Sequence, residues 1–162
     1  MFGRKKNKNL AIVAPVTGKA IPITEVKDQV FSDKILGDGI AMVPQDDNFY
    51  APCNGTVVQV ANTYHAICIE TDDGLELLLH LGMDTVQLEG EGFTAHVKAG
   101  ERVKLGDKLV TMDRAFVEGK GFTCVSPFIV TNIDSVKDKS IQKKLKIYRS
   151  FRHRSDLCVS EH

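Results

Sequence analysis

Short aliphatic and β-branched runs, each broken by Gly, Pro, Asn or Asp, recur along the chain from Leu10 to Asn132. Runs of that length between turn-forming residues are the rhythm of an all-β domain. Apolar and polar positions alternate after several of the breaks, as at Ala20 to Ile23 and Val57 to Val60, which fits strands with one buried face. Helical periodicity is scarce and predicts only short helical turns, at Ser32 to Leu36 and Asp113 to Gly119.

The pattern also repeats. Ala14-Pro15-Val16-Thr17-Gly18 returns as Ala51-Pro52-Cys53-Asn54-Gly55, Ser126-Pro127 has the same opening, and Leu36-Gly37-Asp38-Gly39 is echoed by Leu105-Gly106-Asp107-Lys108. Proline ends ladder donation and glycine supplies a turn conformation closed to other residues. Two copies are too few for a solenoid. The prediction is a compact all-β sandwich or barrel of two related β motifs packed together, with one or two short helical turns.

At 162 residues the chain has the length of one domain, enough to bury about two-thirds of its unfolded surface. Lys and Arg balance Asp and Glu at 21 each, so the chain as a whole is no polyanion binder, and nucleic acid is not a predicted partner. The charge is uneven, however. Arg4, Lys5, Lys6 and Lys8 form a basic N-terminal tail over 1–8, and Lys137 to Arg154 make 137–162 a basic C-terminal tail, leaving 9–136 as the domain. Such ends are read as solvated termini, with attraction to an anionic surface as the functional alternative. Four cysteines, Cys53, Cys68, Cys124 and Cys158, have no C-x-x-C spacing, and no apolar stretch follows the basic start. A reducing cytoplasm is the expected location. No apolar run reaches the roughly 18–20 residues of a membrane span.

His65 and His80 flank the acidic turn Thr71-Asp72-Asp73-Gly74. If the hairpin closes with Glu70 opposite Leu75, counting outward sets His65 opposite His80, with Cβ atoms about 4.5–5.5 Å apart. A slip of one residue would send the rings to opposite faces. Two protonated rings at about 5 Å would repel by about 3 kcal/mol at an effective dielectric near 20, so at least one stays neutral near pH 7. A neutral imidazole nitrogen is a nucleophile, and a neighbouring N–H can hydrogen-bond the anion it captures. Thr63 falls on the face of His65 and can fix its tautomer. Each ring alone also fits a half-buried, hydrogen-bonded strand residue. A zinc site lacks further ligands nearby, since Cys68 is expected on the opposite strand face from His65. No metal or cofactor is predicted.

From Gly74 to Val97 the chain reads G-L-E-L-L-L-H-L-G-M-D-T-V-Q-L-E-G-E-G-F-T-A-H-V. This stretch resembles the active-histidine signature of the glucose-family enzyme IIA proteins, phosphocarriers of the bacterial sugar phosphotransferase system. The resemblance extends upstream through Val30 to Ala41, the Ala51-Pro52 turn and Thr63-Tyr64-His65-Ala66, and downstream to Pro127 and Asn132. It implies a fold of the duplicated hybrid motif type. It also implies a phosphotransferase that takes a phosphoryl group from the histidine-containing carrier HPr and passes it to the IIB domain of a membrane sugar permease.

His80, in H-L-G-M-D-T, matches the phosphorylated histidine, His65 the second histidine that bonds the phosphoryl group, and Thr63 the hydroxyl supporting it. The resemblance makes Nε2 the accepting atom, with the other ring nitrogen held by a backbone carbonyl, here that of Gly82. Val30, Phe31, Leu36, Leu78 and Val86 match an apolar ring for partner docking, and Asp28 and Asp84 match acids suited to arginines on the incoming carrier. The same face would serve a regulatory binding protein that controls permeases or kinases according to its phosphorylation state.

A swinging-arm carrier, which such β motifs also build, needs a lysine at an exposed hairpin tip, where this chain has Asp72 and Asp73. No G-x-x-x-x-G-K-[ST] loop points to a nucleotide donor, and Gly90-Glu91-Gly92 reads as a turn. The ending departs from the family: family members close with glycine-turned strands, whereas the chain after Lys137 is basic with Ile141, Leu145 and Tyr148 at helical spacing. Contact of this tail with the anionic membrane surface is the expectation.

Overall fold

The computed structural model describes residues 12–132. The basic tails at 1–8 and 137–162 lie outside the described residues, as do the ends of the 9–136 domain. In chain order the strands are β1 (Gly18–Pro22), β2 (Asp38–Pro44), β3 (Asn48–Tyr50), β4 (Gly55–Val60), β5 (Ala66–Thr71), β6 (Glu76–His80), β7 (Phe93–Ala95), β8 (Arg102–Val103), β9 (Lys108–Met112) and β10 (Ser126–Val130). Two short helices, α1 (Gln29–Ser32) and α2 (Arg114–Gly119), and 3-10 turns at Ile23–Glu25 and Thr85–Leu88 complete the described fold.

The strands form a seven-stranded sheet in the order β1-β2-β10-β6-β5-β4-β8 and a three-stranded sheet in the order β3-β9-β7. Neighbours pair antiparallel throughout. The chain is all-β, as its pattern of short runs predicts. The two Ala-Pro turns face one another: Val13 N–H donates to Pro52 C=O at 2.9 Å and Tyr50 N–H to Pro15 C=O at 2.7 Å. The glycines closing them, Gly18 and Gly55, begin β1 and β4. A Cβ at either would lie 2.2 or 2.4 Å from a neighbouring strand's carbonyl oxygen, so the repeat has a steric reason.

Side-chain alternation splits the apolar residues between two faces of the large sheet. Ile40, Met42, Leu77, Leu79, Phe128 and Val130 point into the main core, while Ala41 and Ile129 join Ile23, Val26, Phe31 and Met83 in a smaller cluster, with Leu78 packed against it. β10 is buried along its whole length between β2 and β6. The smaller cluster reaches His80 through Phe31, whose ring meets the imidazole.

One of the two predicted helical turns is displaced. α2 matches, with Asp113 as its cap: the carboxylate accepts from Phe116 N–H at 3.1 Å. The first turn begins earlier than Ser32, because the Asp28 carboxylate accepts from Val30 N–H at 2.9 Å and starts α1 at Gln29.

Candidate functional site

β6 delivers His80. Leu77 and Leu79 are buried in the main core, so Leu78 and His80 fall on the opposite face, both half-buried. Across the ladder Ala66 pairs with His80 and Cys68 with Leu78. The predicted register, His65 opposite His80, is therefore off by one residue. The hairpin closes at Thr71 and Leu75 rather than Glu70 and Leu75: Thr71 N–H donates to Leu75 C=O at 2.9 Å, and the Thr71 hydroxyl accepts from Leu75 N–H at 3.0 Å. Cys68 accordingly shares the face of His80, contrary to the expectation that it points away from the site.

The two rings meet nonetheless. His65 and His80 have ring centroids 5.2 Å apart, edge to face at 78°. His65 precedes β5, so strict alternation does not bind it. The chain enters β5 through Tyr64, whose φ of +60° lies in the left-handed region and redirects the backbone just before His65. Leu81 N–H then donates to His65 C=O at 2.7 Å, tying the two histidine-bearing segments together. The Thr63 hydroxyl lies 2.5 Å from His65 Nδ1. With that hydroxyl donating, His65 Nε2 carries the proton and is a hydrogen-bond donor.

His80 is held in the complementary way. Its Nδ1–H donates to Gly82 C=O at 2.8 Å, which leaves the Nε2 lone pair as the nucleophilic position. Burial pushes the His80 imidazole below the usual histidine range, partly offset by the bond to Gly82 and the charges of Asp28 and Asp84. His65 is lowered too, first by burial and then by the charge of His80. Burial, more than the mutual repulsion reasoned from the sequence, keeps these rings neutral. The thiols are held in their unreactive protonated form: burial raises Cys68, pushes Cys124 to about 11 and, with the charges of Asp72 and Asp73, pushes Cys53 to about 12.

Of the residues expected to ring the site, Val30, Leu36 and Val86 are exposed at 40%, 42% and 49%, and Leu78 is half-buried against the smaller cluster. Phe31 departs from the expected exposed ring. Only 4% of it is accessible, and its ring meets His80 edge-on with centroids 5.2 Å apart at 63°. It packs the histidine from below and offers little surface to a visitor. Ile35, next to Leu36 in sequence, is the most exposed large apolar residue among those described, at 68%, and was not singled out from the sequence, although a bare isoleucine in a turn before Gly37 is a legible signal. Asp28 is the α1 cap as well as a charge near His80; Asp84 sits at φ +61°, opening the Thr85–Leu88 turn. Sequence reasoning also missed Ser126 and Thr85, both fully buried and bonded to the loop after His80. Ser126 is marked only as a polar residue inside an otherwise apolar run, and Thr85, between Asp84 and Val86, has no such mark. Among the described residues no group of three or more His, Cys, Asp or Glu is placed to hold a metal ion.

One imidazole with a lone pair at Nε2 and one with a donor at Nε2, set edge to face, can capture and steady a small anionic group. The profile of the EIIA 1 family of the phosphoenolpyruvate-dependent sugar phosphotransferase system matches residues 10–136. The chain belongs to this family. Two relatives, each described as a glucose-specific EIIA component of that system, are similar at 46% identity. The one from Oceanobacillus iheyensis aligns over 83% of this chain and 81% of its own length, and the one from Halalkalibacterium halodurans over 84% and 83%. The solved glucose permease IIA from Mycoplasma capricolum superposes with a TM-score of 0.74 at 44% identity, covering 81% of this chain and 84% of that one. Membership in the EIIA family places the chain in a phosphotransferase system for sugar transport. Among the described residues no helix is long and apolar enough to cross a membrane.

Proposed function

We propose that this chain is a cytoplasmic phosphoryl carrier whose 9–136 domain takes a phosphoryl group from the phosphohistidine of HPr onto His80 and passes it to the IIB domain of a sugar permease. The observation that carries the reading is the fixed, opposite polarity of the two rings: His80 Nδ1 bonds Gly82 C=O at 2.8 Å, and His65 Nδ1 meets the Thr63 hydroxyl at 2.5 Å. The neutral His80 Nε2 attacks phosphorus as the donor's P–N bond breaks. The donor imidazole keeps that bonding pair, a new P–N bond forms at Nε2, and no proton is released.

His65 Nε2–H then donates to a phosphoryl oxygen. Catalysis is largely alignment and charge stabilisation between two proteins, since one nitrogen–phosphorus bond replaces another. Val30, Leu36, Leu78 and Val86 form the docking rim, Phe31 backs the ring, and Asp28 and Asp84 receive cationic side chains of the partner. The named relatives make glucose the first sugar to test. The same rim serves the regulatory reading, because a phosphoryl group at its centre would change its charge and so its partners among permeases or kinases. The basic tails suit the anionic membrane face where a permease resides, and deleting residues after Val136 is expected to weaken binding to anionic liposomes.

Incubation with phosphoenolpyruvate, enzyme I and HPr, followed by intact mass measurement, tests the carrier role. The wild type should gain one phosphoryl group and His80→Ala none, while His65→Ala should load but pass the group poorly to IIB. Normal loading of His80→Ala would overturn the assignment.

A further inference from the structure

Only Thr71, Thr85 and Ser126 are buried polar residues among those described, and two of the three bond the two residues that follow His80 in sequence. A fully buried hydroxyl among apolar neighbours calls for a partner that justifies it. Ser126 Oγ–H donates to Cys124 C=O at 2.8 Å and its oxygen accepts from Gly82 N–H at 3.2 Å. Thr85 Oγ1–H donates to Leu81 C=O at 2.6 Å. Leu81 N–H donates to His65 C=O and Met83 N–H to Thr123 C=O, at 2.7 and 3.1 Å. Every main-chain polar group from Leu81 N–H to Met83 N–H therefore has a named partner, and the one facing His80 is Gly82 C=O.

The position of Ser126 has a topological cause. β10 pairs with β6 at Phe128–Leu79, Ile129–Leu78 and Val130–Leu77, and the ladder stops there. Continued, it would set Pro127 opposite His80 and Ser126 opposite Leu81, but Pro127 has no N–H to give. The chain leaves the sheet at Gly82, whose φ of +78° and whose absent Cβ, 2.6 Å from Thr85 Cγ2 and 3.0 Å from Thr123 C=O if present, permit only glycine without rearrangement. The Ser126 side chain takes the N–H that the interrupted ladder leaves over.

From this we infer that Ser126 is a positioning residue for the phosphoryl acceptor, assisted by Thr85: the two hydroxyls clamp both polar groups of the Leu81–Gly82 peptide, and by fixing the unit next to the Gly82–Met83 peptide they aim Gly82 C=O at His80 Nδ1 and so hold the ring in the tautomer that presents a lone pair at Nε2. The inference rests on the carrier reading for its consequence in transfer. Its structural half, the tautomer, stands on the hydrogen bonds alone.

Long-range 15N–1H imidazole spectra of the full chain read the tautomer without any phosphoryl donor. Ser126→Ala is expected to lower the Nδ1–H population of His80 and to slow loading from phospho-HPr by roughly tenfold, the scale on which outer partners of a held histidine act. Ser126→Thr, which keeps the hydroxyl, should restore both. Thr71→Ala is the matched control, since the Thr71 hydroxyl bonds Leu75 N–H in the remote hairpin turn; it should lower stability yet leave the His80 tautomer as in the wild type. If Ser126→Ala does not fold, Thr85→Val, of equal shape, is expected to shift the tautomer in the same direction. An unchanged His80 tautomer in folded Ser126→Ala, or in Thr85→Val where that variant stands in, overturns the inference. A wild type that takes up no phosphorus would sink the carrier reading while leaving the tautomer comparison intact.

Discussion

Replacing Phe31 by alanine separates two roles of one ring. Phe31 is 4% exposed and packs with Ile23, Val26, Ala41, Met83 and Ile129 beneath His80. Truncating a buried phenylalanine costs about 3–5 kcal/mol. The lower end applies, because α1 spans only Gln29–Ser32 at the edge of the fold and can settle into the gap. A loss of about 3 kcal/mol corresponds to a fall in Tm on the order of 10 °C for a domain of this size. The second effect is electrostatic. Burial is the leading cause of the lowered His80 pKa, so opening this packing to water should move it up toward the ordinary histidine value of 6.5.

The signs of the two effects can be checked together. In the wild type the folded His80 binds its proton less readily than the unfolded chain does. Its stability contribution is thus fully present above pH 6.5 and lost as pH falls from there through the folded pKa. Phe31→Ala shrinks that loss, so the stability gap between variant and wild type should narrow between pH 7 and pH 5. Urea unfolding at both pH values and an NMR titration of the His80 ring protons measure this. A His80 pKa that stays put or drops in the variant would refute burial as its cause.

Three further outcomes follow from the site. Phosphoryl loading should be flat near neutrality and decline on acidification only below pH 6.5, as both lowered histidines gain protons; a decline beginning well above pH 6.5 in a pH–rate profile would contradict the neutral-ring geometry. Gly82→Ala should cost about 1–2 kcal/mol for the left-handed backbone and about 1–3 kcal/mol more for overlap with Thr85 and Thr123, and should release the His80 tautomer, measured by urea unfolding and imidazole spectra. Thr63→Val removes the hydroxyl partner of His65 and should leave loading of His80 largely intact while slowing delivery to IIB, read by stopped-time transfer assays.

Much of this architecture is legible in the residues. The all-β class, the paired Ala-Pro turns and the α2 cap at Asp113 follow from local chemistry that tertiary packing does not override. The hairpin register did not follow, although the clue was present. Gly74 N–H donates to Thr71 C=O at 3.0 Å and Gly74 has φ +93°, the three-residue loop that a glycine in its last position favours. Choosing four loop residues shifted every pair by one. That the two rings still meet depends on the left-handed Tyr64, a conformation that a tyrosine does not advertise. Likewise the apolar residues Val30, Phe31 and Val86 are visible as residue types, but which of them face solvent and which turn inward is not. Phe31 turns inward because Asp28 caps the chain into a helical turn one residue earlier than Val30, and caps of that kind are recognised only once the helix is granted.

The central claim is a division of tasks between two imidazoles, one taking phosphorus at a defined nitrogen and the other holding its oxygens. Phosphorylation of uniformly 15N-labelled protein by phospho-HPr, followed by imidazole spectra with 31P coupling, tests it most directly. The account predicts phosphorus on Nε2 of His80, a proton retained on its Nδ1, and no phosphorus on His65. Phosphorus on His80 Nδ1, or on either nitrogen of His65, would contradict it.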